Sequence, residues 1–341
     1  MQLQKFGVCL IPILIAACHL NQAPTTSYNT ASTTQCRSIN HEFGNTQICR
    51  QPQRIIAYDP GSLDLLLALG VEPVGYTGFS QVVPNSLKAG EAINEFGYLS
   101  DRITTSPTYI GNYSSPSLET ILKLKPDLIL ITYSYGDRTQ YDQFSKLAPT
   151  LALSGGDFPW QQRLLTLAQV LNREPQAQQV LARYQQKVAA AKAKLEPISR
   201  NNKVLLLYFA RPDHLPISTD KIFAGALLQD LGFQLVIPQR TIDVDGVIRG
   251  VSLEVLPQLE ADIIIVMAGG SEGIRKVKQL WNQNPLLQAV SNDVKLYFVD
   301  GYLWAFLDGP IAAEQIIDNV QELLLPTVDI SMYLHQFNAS R

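Results

Sequence analysis

Ser117-Leu118-Glu119-Thr120-Ile121-Leu122-Lys123-Leu124-Lys125-Pro126-Asp127-Leu128-Ile129-Leu130-Ile131 recurs without gaps as Ser252-Leu253-Glu254-Val255-Leu256-Pro257-Gln258-Leu259-Glu260-Ala261-Asp262-Ile263-Ile264-Ile265-Val266. Six of the fifteen positions are identical, among them Ser-Leu-Glu and the Asp that precedes an apolar run. A second pair, Leu65–Val74 (LLLALGVEPV) and Leu227–Val236 (LLQDLGFQLV), shares Leu, Leu, Leu, Gly and Val. Each copy reads as a helical piece leading into a buried strand. Two such units far apart in the chain predict a pseudo-duplicated protein with a cleft between its halves.

Outward from the repeats, apolar runs of strand type alternate with helical patterns. Arg54–Tyr58, Pro73–Tyr76, Asp127–Thr132, Lys203–Phe209, Asp262–Met267 and Lys295–Val299 read as buried strands. That alternation predicts an α/β fold in which each half has a mostly parallel sheet flanked by helices. Between the third and fourth runs, Gln161–Leu171 and Gln176–Leu195 are helical. Val180, Leu181, Tyr184, Val188 and Ala191 keep the spacing of one helix face. Pro175 suits a first helical turn and Pro197 is expected to close the segment. A helix of that length spans roughly 30 Å, enough to join two lobes as a single long connector.

The 341 residues are 46% hydrophobic and 17% charged, which excludes a disordered chain and a disulfide miniprotein. The charge is −3, with 27 Lys+Arg against 30 Asp+Glu, and no basic cluster suits a phosphate backbone, so nucleic acid is not an expected partner. At the N-terminus, Lys5 precedes an apolar run from Phe6 to Ala17, the length of an export signal and short of the roughly 20 residues of a spanning helix. The run ends in Ile15-Ala16-Ala17-Cys18, which resembles the lipobox of bacterial lipoproteins. The resemblance implies cleavage before Cys18 and lipidation of that cysteine. Residues 19–35, rich in Thr, Ser, Asn and Gln, read as a flexible tether. The expected organisation is therefore a signal peptide (1–17), a lipid-anchored tether (18–35), an N-terminal lobe (36–160), a connecting helical segment (161–197), a C-terminal lobe (198–325) and a tail (326–341). In an oxidising compartment Cys36 and Cys49 remain as an even pair. They read as a disulfide, against two buried thiols or a thiol-metal site.

Signs of catalysis are few. His19 abuts the lipidation site, His335 is in the tail, and only His41 and His214 fall within the body. No Ser-His-Asp pattern, zinc motif or phosphate loop is visible, and no metal site is expected. Gly269-Gly270-Ser271-Glu272-Gly273 is a strand-to-helix glycine turn without dinucleotide spacing. Glu119 and Glu254 sit at helix starts, where a carboxylate caps the helix and faces its positive end. The rival reading makes them a carboxylate pair of an exported hydrolase.

Pro52-Gln53-Arg54-Ile55-Ile56-Ala57-Tyr58-Asp59-Pro60-Gly61-Ser62-Leu63-Asp64 and the following Leu65–Gly75 resemble the opening of the class III substrate-binding proteins of ABC importers, which serve iron-siderophores, haem and cobalamin. Ile110-Gly111 with Ser117-Leu118-Glu119, Leu124–Ile129, Val294–Asp300 and Gly309-Pro310-Ile311-Ala312-Ala313-Glu314 extend the resemblance over roughly residues 37–325. It implies two α/β lobes joined by one long helix, and a monomeric, non-enzymatic, periplasmic protein on a lipid anchor. Its partner would be an ABC permease dimer, with one exposed glutamate per lobe, Glu119 and Glu254, docking on permease arginines. No cofactor is implied; the implied ligand is a ferric siderophore, with haem or cobalamin as alternatives. Ligand contacts are expected on loops beyond strand C-termini, where α/β crevices open: Tyr58, Tyr113, Tyr133, Arg138, Trp160, Arg211, Arg249, Tyr302 and Trp304. Aromatic faces with arginine forks suit a bulky anionic ferric chelate. Tyr113, Tyr133 or Tyr302 would be the axial ligand if the cargo were haem.

Overall fold

The computed structural model describes residues 36–325 except 79–86, 93–96, 133–137, 155–158, 212–213, 244–245 and 292–293. The signal, Cys18, the tether, the tail and Tyr133 lie outside the described residues. The body opens with an antiparallel hairpin, β1 (Arg37–His41) and β2 (Gly44–Ile48), in which Arg37 faces Ile48. Cys36 and Cys49 thus stand opposite one another, with Cα atoms 3.9 Å apart, and form a disulfide.

The first sheet is built from β3 (Ile55–Ala57), α1 (Pro60–Ala68), β4 (Gly75–Gly78), β5 (Thr108–Asn112), β6 (Ser115–Pro116), α2 (Leu118–Leu124), β7 (Leu128–Ile131), α3 (Arg138–Phe144) and β8 (Thr150–Ala152). Its strand order is β6-β5-β4-β3-β7-β8, parallel apart from β6. The chain then passes through α4 (Trp160–Leu171) and the 26-residue α5 (Glu174–Ser199). Pro197 does not end α5 as expected. Proline removes one intrahelical donor, but Leu195 and Ser199 are buried around it and hold the last turn in place.

The second sheet follows: β9 (Lys203–Tyr208), β10 (Ile217–Ser218), α6 (Phe223–Asp230), β11 (Gln234–Leu235), β12 (Val247–Ile248), β13 (Ile263–Ala268), α7 (Gly270–Gln283), α8 (Pro285–Val290), β14 (Lys295–Asp300), α9 (Gly301–Ala305) and α10 (Pro310–Leu324). β9, β13 and β14 run parallel, with β14 at one edge; β10 and β11 share the other side of β9, with β12 beyond β10. The architecture is α/β with two mostly parallel sheets, as the alternation predicts.

Period-2 alternation explains how the sheets are covered. Ile55, Ala57, Leu128 and Leu130 of the first sheet and Val204, Leu206, Ile263 and Ile265 of the second join one continuous core. Ile56, Ile129 and Ile131, and Leu205, Leu207, Ile264 and Val266, point the other way into two separate clusters. The shared core includes buried residues of α1, α4, α5, α6 and α10, so a layer of helices binds the two sheets.

The repeats correspond to the same local chemistry twice. Asp127 accepts the Arg54 amide at 2.7 Å and Asp262 accepts the Lys203 amide at 2.7 Å, each setting a strand beside its neighbour. Lys125 and Glu260 both take left-handed backbone, φ 44° and 48°. In the second pair, Val71 N–H reaches Leu66 O and Phe233 N–H reaches Leu228 O, closing α1 and α6 around Gly70 (φ 70°) and Gly232 (φ 96°). This is the helix stop that a glycine in left-handed conformation permits. The copies diverge where Leu122 is matched by Pro257: the first unit is α2, while Leu253–Leu259 is a 3-10 helix.

Candidate functional site

At the carboxyl end of β3, Asp59 caps α1 by accepting the Ser62 amide at 2.8 Å, and it also accepts the Thr132 amide at 2.7 Å beyond β7. Arg163 of α4 donates from Nη1 to Thr132 O at 3.1 Å and from Nη2 to Asp308 Oδ2 at 2.5 Å. One turn along α1, Asp64 accepts the amides of Ile311 and Ala312 at 2.9 and 2.8 Å, capping α10 from another helix. Gly309 is required there, because a Cβ on it would stand 2.3 Å from Asp64 Cγ. Burial raises the Asp308 carboxyl, while the adjacent Arg163 lowers it. These buried groups knit the first sheet's strand ends to the segment that follows β14. Beside them opens a cavity of about 380 Å³ bounded by the starts of α4 and α6, by Tyr184 of α5 and by Asp308.

A second cluster lies at the carboxyl ends of β9 and β14. Tyr208 packs edge-on against Phe306 at 5.8 Å, and Tyr302 lies 6.3 Å from the same ring. Tyr302 sits over the Gly269-Gly270 turn, where a Cβ on Gly269 would come within 3.0 Å of its hydroxyl. The glycine turn therefore makes room for an aromatic ring. Burial raises the phenols of Tyr208 and Tyr302, the latter with help from Tyr208 and Asp300, so both stay protonated hydrogen-bonding groups at neutral pH.

The expected ligand residues divide. Tyr113 and Tyr302 are half-buried, and Arg138, Arg211 and Arg249 are exposed. Arg249 pairs with Asp243 at 2.6 Å, Arg138 with Asp142 at 3.2 Å, and the Arg211 and His214 backbones bridge one another. Trp304 is corrected: it is fully buried, because α9 turns it into the shared core beneath α10. Tyr58 is 3% exposed, sealed by Phe144 and by its own hydroxyl donating to Tyr113 O, so it supports Tyr113 instead of facing solvent. Trp160, 4% exposed, stacks edge-on on Tyr184 and belongs to the cavity wall. Tyr208 and Phe306 are absent from the sequence reading; the available signal was an aromatic closing the apolar strand Val204–Leu207. Capping by the glutamates is also corrected. Ser117 Oγ accepts the Thr120 amide while Glu119 turns outward to Lys123 at 2.7 Å, and Glu254 is held by the Ser252 hydroxyl. Among the described residues no cluster of His, Cys, Asp or Glu suits a metal ion, and no helix is long and apolar enough to cross a membrane.

Two sheets bound by one helix layer, with half-buried aromatics at strand ends, describe a solute-binding architecture. A family model described as periplasmic binding protein matches residues 55–293, and the chain belongs to this family. It is 27% identical over 318 residues to an Fe(3+)-citrate-binding protein of Bacillus subtilis, covering 90% of this chain and 93% of that one. It is 26% identical over 331 residues to an iron(3+)-hydroxamate-binding protein of the same organism, covering 94% and 98%. Among solved structures, Staphylococcus aureus SirA complexed with staphyloferrin B superposes with a TM-score of 0.66 at 28% identity, over 84% of this chain and 98% of that one.

Proposed function

We propose that this protein captures a ferric siderophore outside the cytoplasm and delivers it to an ABC importer without transforming it. The observation that carries the reading is the Tyr208–Phe306–Tyr302 cluster at the ends of β9 and β14, in a chain of this family similar to iron-chelate binders. Aromatic faces pack the organic scaffold, and Arg211 and Arg249 supply charge to anionic oxygens. Titration of the purified protein with ferric citrate, a ferric catecholate, haem and cobalamin, read by intrinsic fluorescence, is the test. A ferric chelate is expected to saturate the signal, and Arg211→Ala and Arg249→Ala each to weaken it by about 1.5–3 kcal/mol. Preferential binding of haem or cobalamin, or unchanged affinity in both variants, refutes this assignment.

We further read the protein as a lipid-anchored periplasmic monomer held through Cys18, from the Ile15-Ala16-Ala17-Cys18 sequence after the apolar run. Cys18→Ala removes the acylation site, so the variant is expected in the soluble fraction. Retention with membranes equal to the parent's refutes the anchor.

A further inference from the structure

Among the described residues three large hydrophobic side chains are exposed: Leu122 at 59%, Leu286 at 44% and Leu118 at 38%. A single exposed leucine is ordinary on a folded surface. These three are not scattered. Leu118 and Leu122 stand four residues apart on α2, hence on one face, and the stripe beside them holds the Glu119–Lys123 ion pair at 2.7 Å. The inner face of that helix is Ile121, buried in the outer cluster of the first sheet, so the leucine pair takes no part in the core. Leu286 belongs to α8, which packs on the 3-10 helix Leu253–Leu259 through Leu287 and Val290, joined with Leu256 in one cluster. Asn284 Oδ1 accepts the Leu286 amide at 3.0 Å and fixes the start of α8, while the Leu286 side chain stays outside the cluster. The same 3-10 helix carries the exposed Glu254.

Each unit of the duplication therefore presents an exposed glutamate with an exposed leucine, on its own helix or on a helix packed against it. The repeat itself does not account for this. Leu122 is matched by Pro257 and Leu118 by the half-buried Leu253, so the second unit draws its leucine from an element outside the repeated segment. Charge alone holds a partner weakly here, because Glu119 already has a cation and a partner's cation would only take the place of Lys123. Apolar burial adds to that contact and is not screened by salt. A leucine beside a carboxylate thus gives a contact in which burial supplies affinity and charge supplies register. Exposed carboxylates in both patches disfavour an anionic lipid surface, and a second copy meeting like patch on like patch would set carboxylate against carboxylate. A protein with two like faces, each a cation beside an apolar recess, fits a patch that occurs once per unit.

Resting on the reading that this protein delivers its cargo to an ABC importer, we propose that Leu118, Leu122 and Leu286 are the apolar anchors of its docking on the importer's membrane-spanning subunits, two anchors at the first unit and one at the second.

The experiment is uptake of radiolabelled iron into spheroplasts of the source cells that lack their own copy of the protein. They are supplied with increasing amounts of the purified, soluble Cys18→Ala form, loaded with whichever of ferric citrate and the ferric catecholate it binds. Leu118→Gln with Leu122→Gln should raise the half-saturating protein concentration about tenfold, and Leu286→Gln about fivefold. The maximal rate, and the chelate affinity of the purified variants, should be unchanged. Glutamine suits a helix, and circular dichroism checks that the variants fold. Because apolar burial is not screened, both ratios should persist at high salt. Uptake driven equally by parent and variants overturns these anchors and leaves delivery to an importer standing. No uptake with a parent that binds its chelate overturns that delivery and the anchors with it. Ratios that vanish at high salt overturn the apolar contact in favour of charge. Sedimentation of the parent as a dimer that the variants lose, or leucine-dependent binding to phosphatidylglycerol vesicles free of importer, overturns the occupant in favour of a second copy or of lipid.

Discussion

Asp64 accepts the Ile311 amide across 247 residues of chain, and that one carboxylate fixes where the last helix starts. Burial pushes its carboxyl up to about 7, and nearby Asp308 adds to the rise, against hydrogen bonds from Ile311, Ala312 and Tyr98 that favour the ionised form. In the unfolded chain the group titrates near 3.8, so folding favours the protonated acid. Its contribution to stability is full below that value and is lost as pH rises through about 7. Asp64→Asn keeps an acceptor for the α10 amides but cannot titrate. Urea unfolding across this window should show a shallower fall of stability with rising pH in the variant; parallel profiles would mean that Asp64 does not carry the dependence. Sequence reading placed Asp64 only in a family motif, because nothing local to α1 announces a partner so far along the chain.

Elements of short range were legible and those of long range were not. All six predicted strands are present within two residues at each end, and α5 covers the predicted long helix and extends it in both directions. Strands β5, β6, β8, β10 and β12 were not identified, since most are short pieces whose pairing depends on a neighbour already in place, and β11 was read only as the strand that ends the Leu227–Val236 repeat. The β1–β2 hairpin was missed as well. Two strands alone are marginal in water; this pair is closed on itself by the Cys36–Cys49 disulfide and tied to the body by Thr46 Oγ1 donating to Thr150 O at 2.7 Å. The bridge spans 13 positions, a loop whose closure stabilises by about 2–3 kcal/mol. Cys36→Ser with Cys49→Ser should lower the unfolding free energy by that amount in denaturant titration. No change would show that the hairpin's packing alone is sufficient.

Across the whole molecule, a continuous core running through both sheets favours small lobe movements over wide hinge opening. Glu119 on α2, its side chain 77% exposed, and the exposed Glu254 occupy matching positions of the duplicated units. If both dock on permease arginines, Glu119→Gln with Glu254→Gln should impair uptake of labelled ferric chelate into cells more than either single change, and the more so as salt screens what charge remains. Ligand affinity of the purified double variant should match the parent. Normal uptake by the double variant would leave these glutamates as surface residues. Capping does not complicate this test, because Ser117 and not Glu119 caps α2.

The amino-acid sequence was sufficient for the α/β class, the repeated helix-strand chemistry, the long helix over 176–195 and the cysteine pair. Those depend on periodicity, on glycines such as Gly70 and Gly232 that stop helices, and on residues such as Asp127 and Asp262 that act within one unit. Tertiary structure alone decided which aromatic stays part-exposed at a strand end and which is core. Trp304 and Tyr302 lie two residues apart, yet one is fully buried and the other half-exposed. It also decided that α10 returns to α1 and that Arg163 meets Asp308. The physical reason is the same in each case: sequence pattern shows that a face is apolar or a group polar, but the partner that covers or pairs it comes from a distant part of the chain.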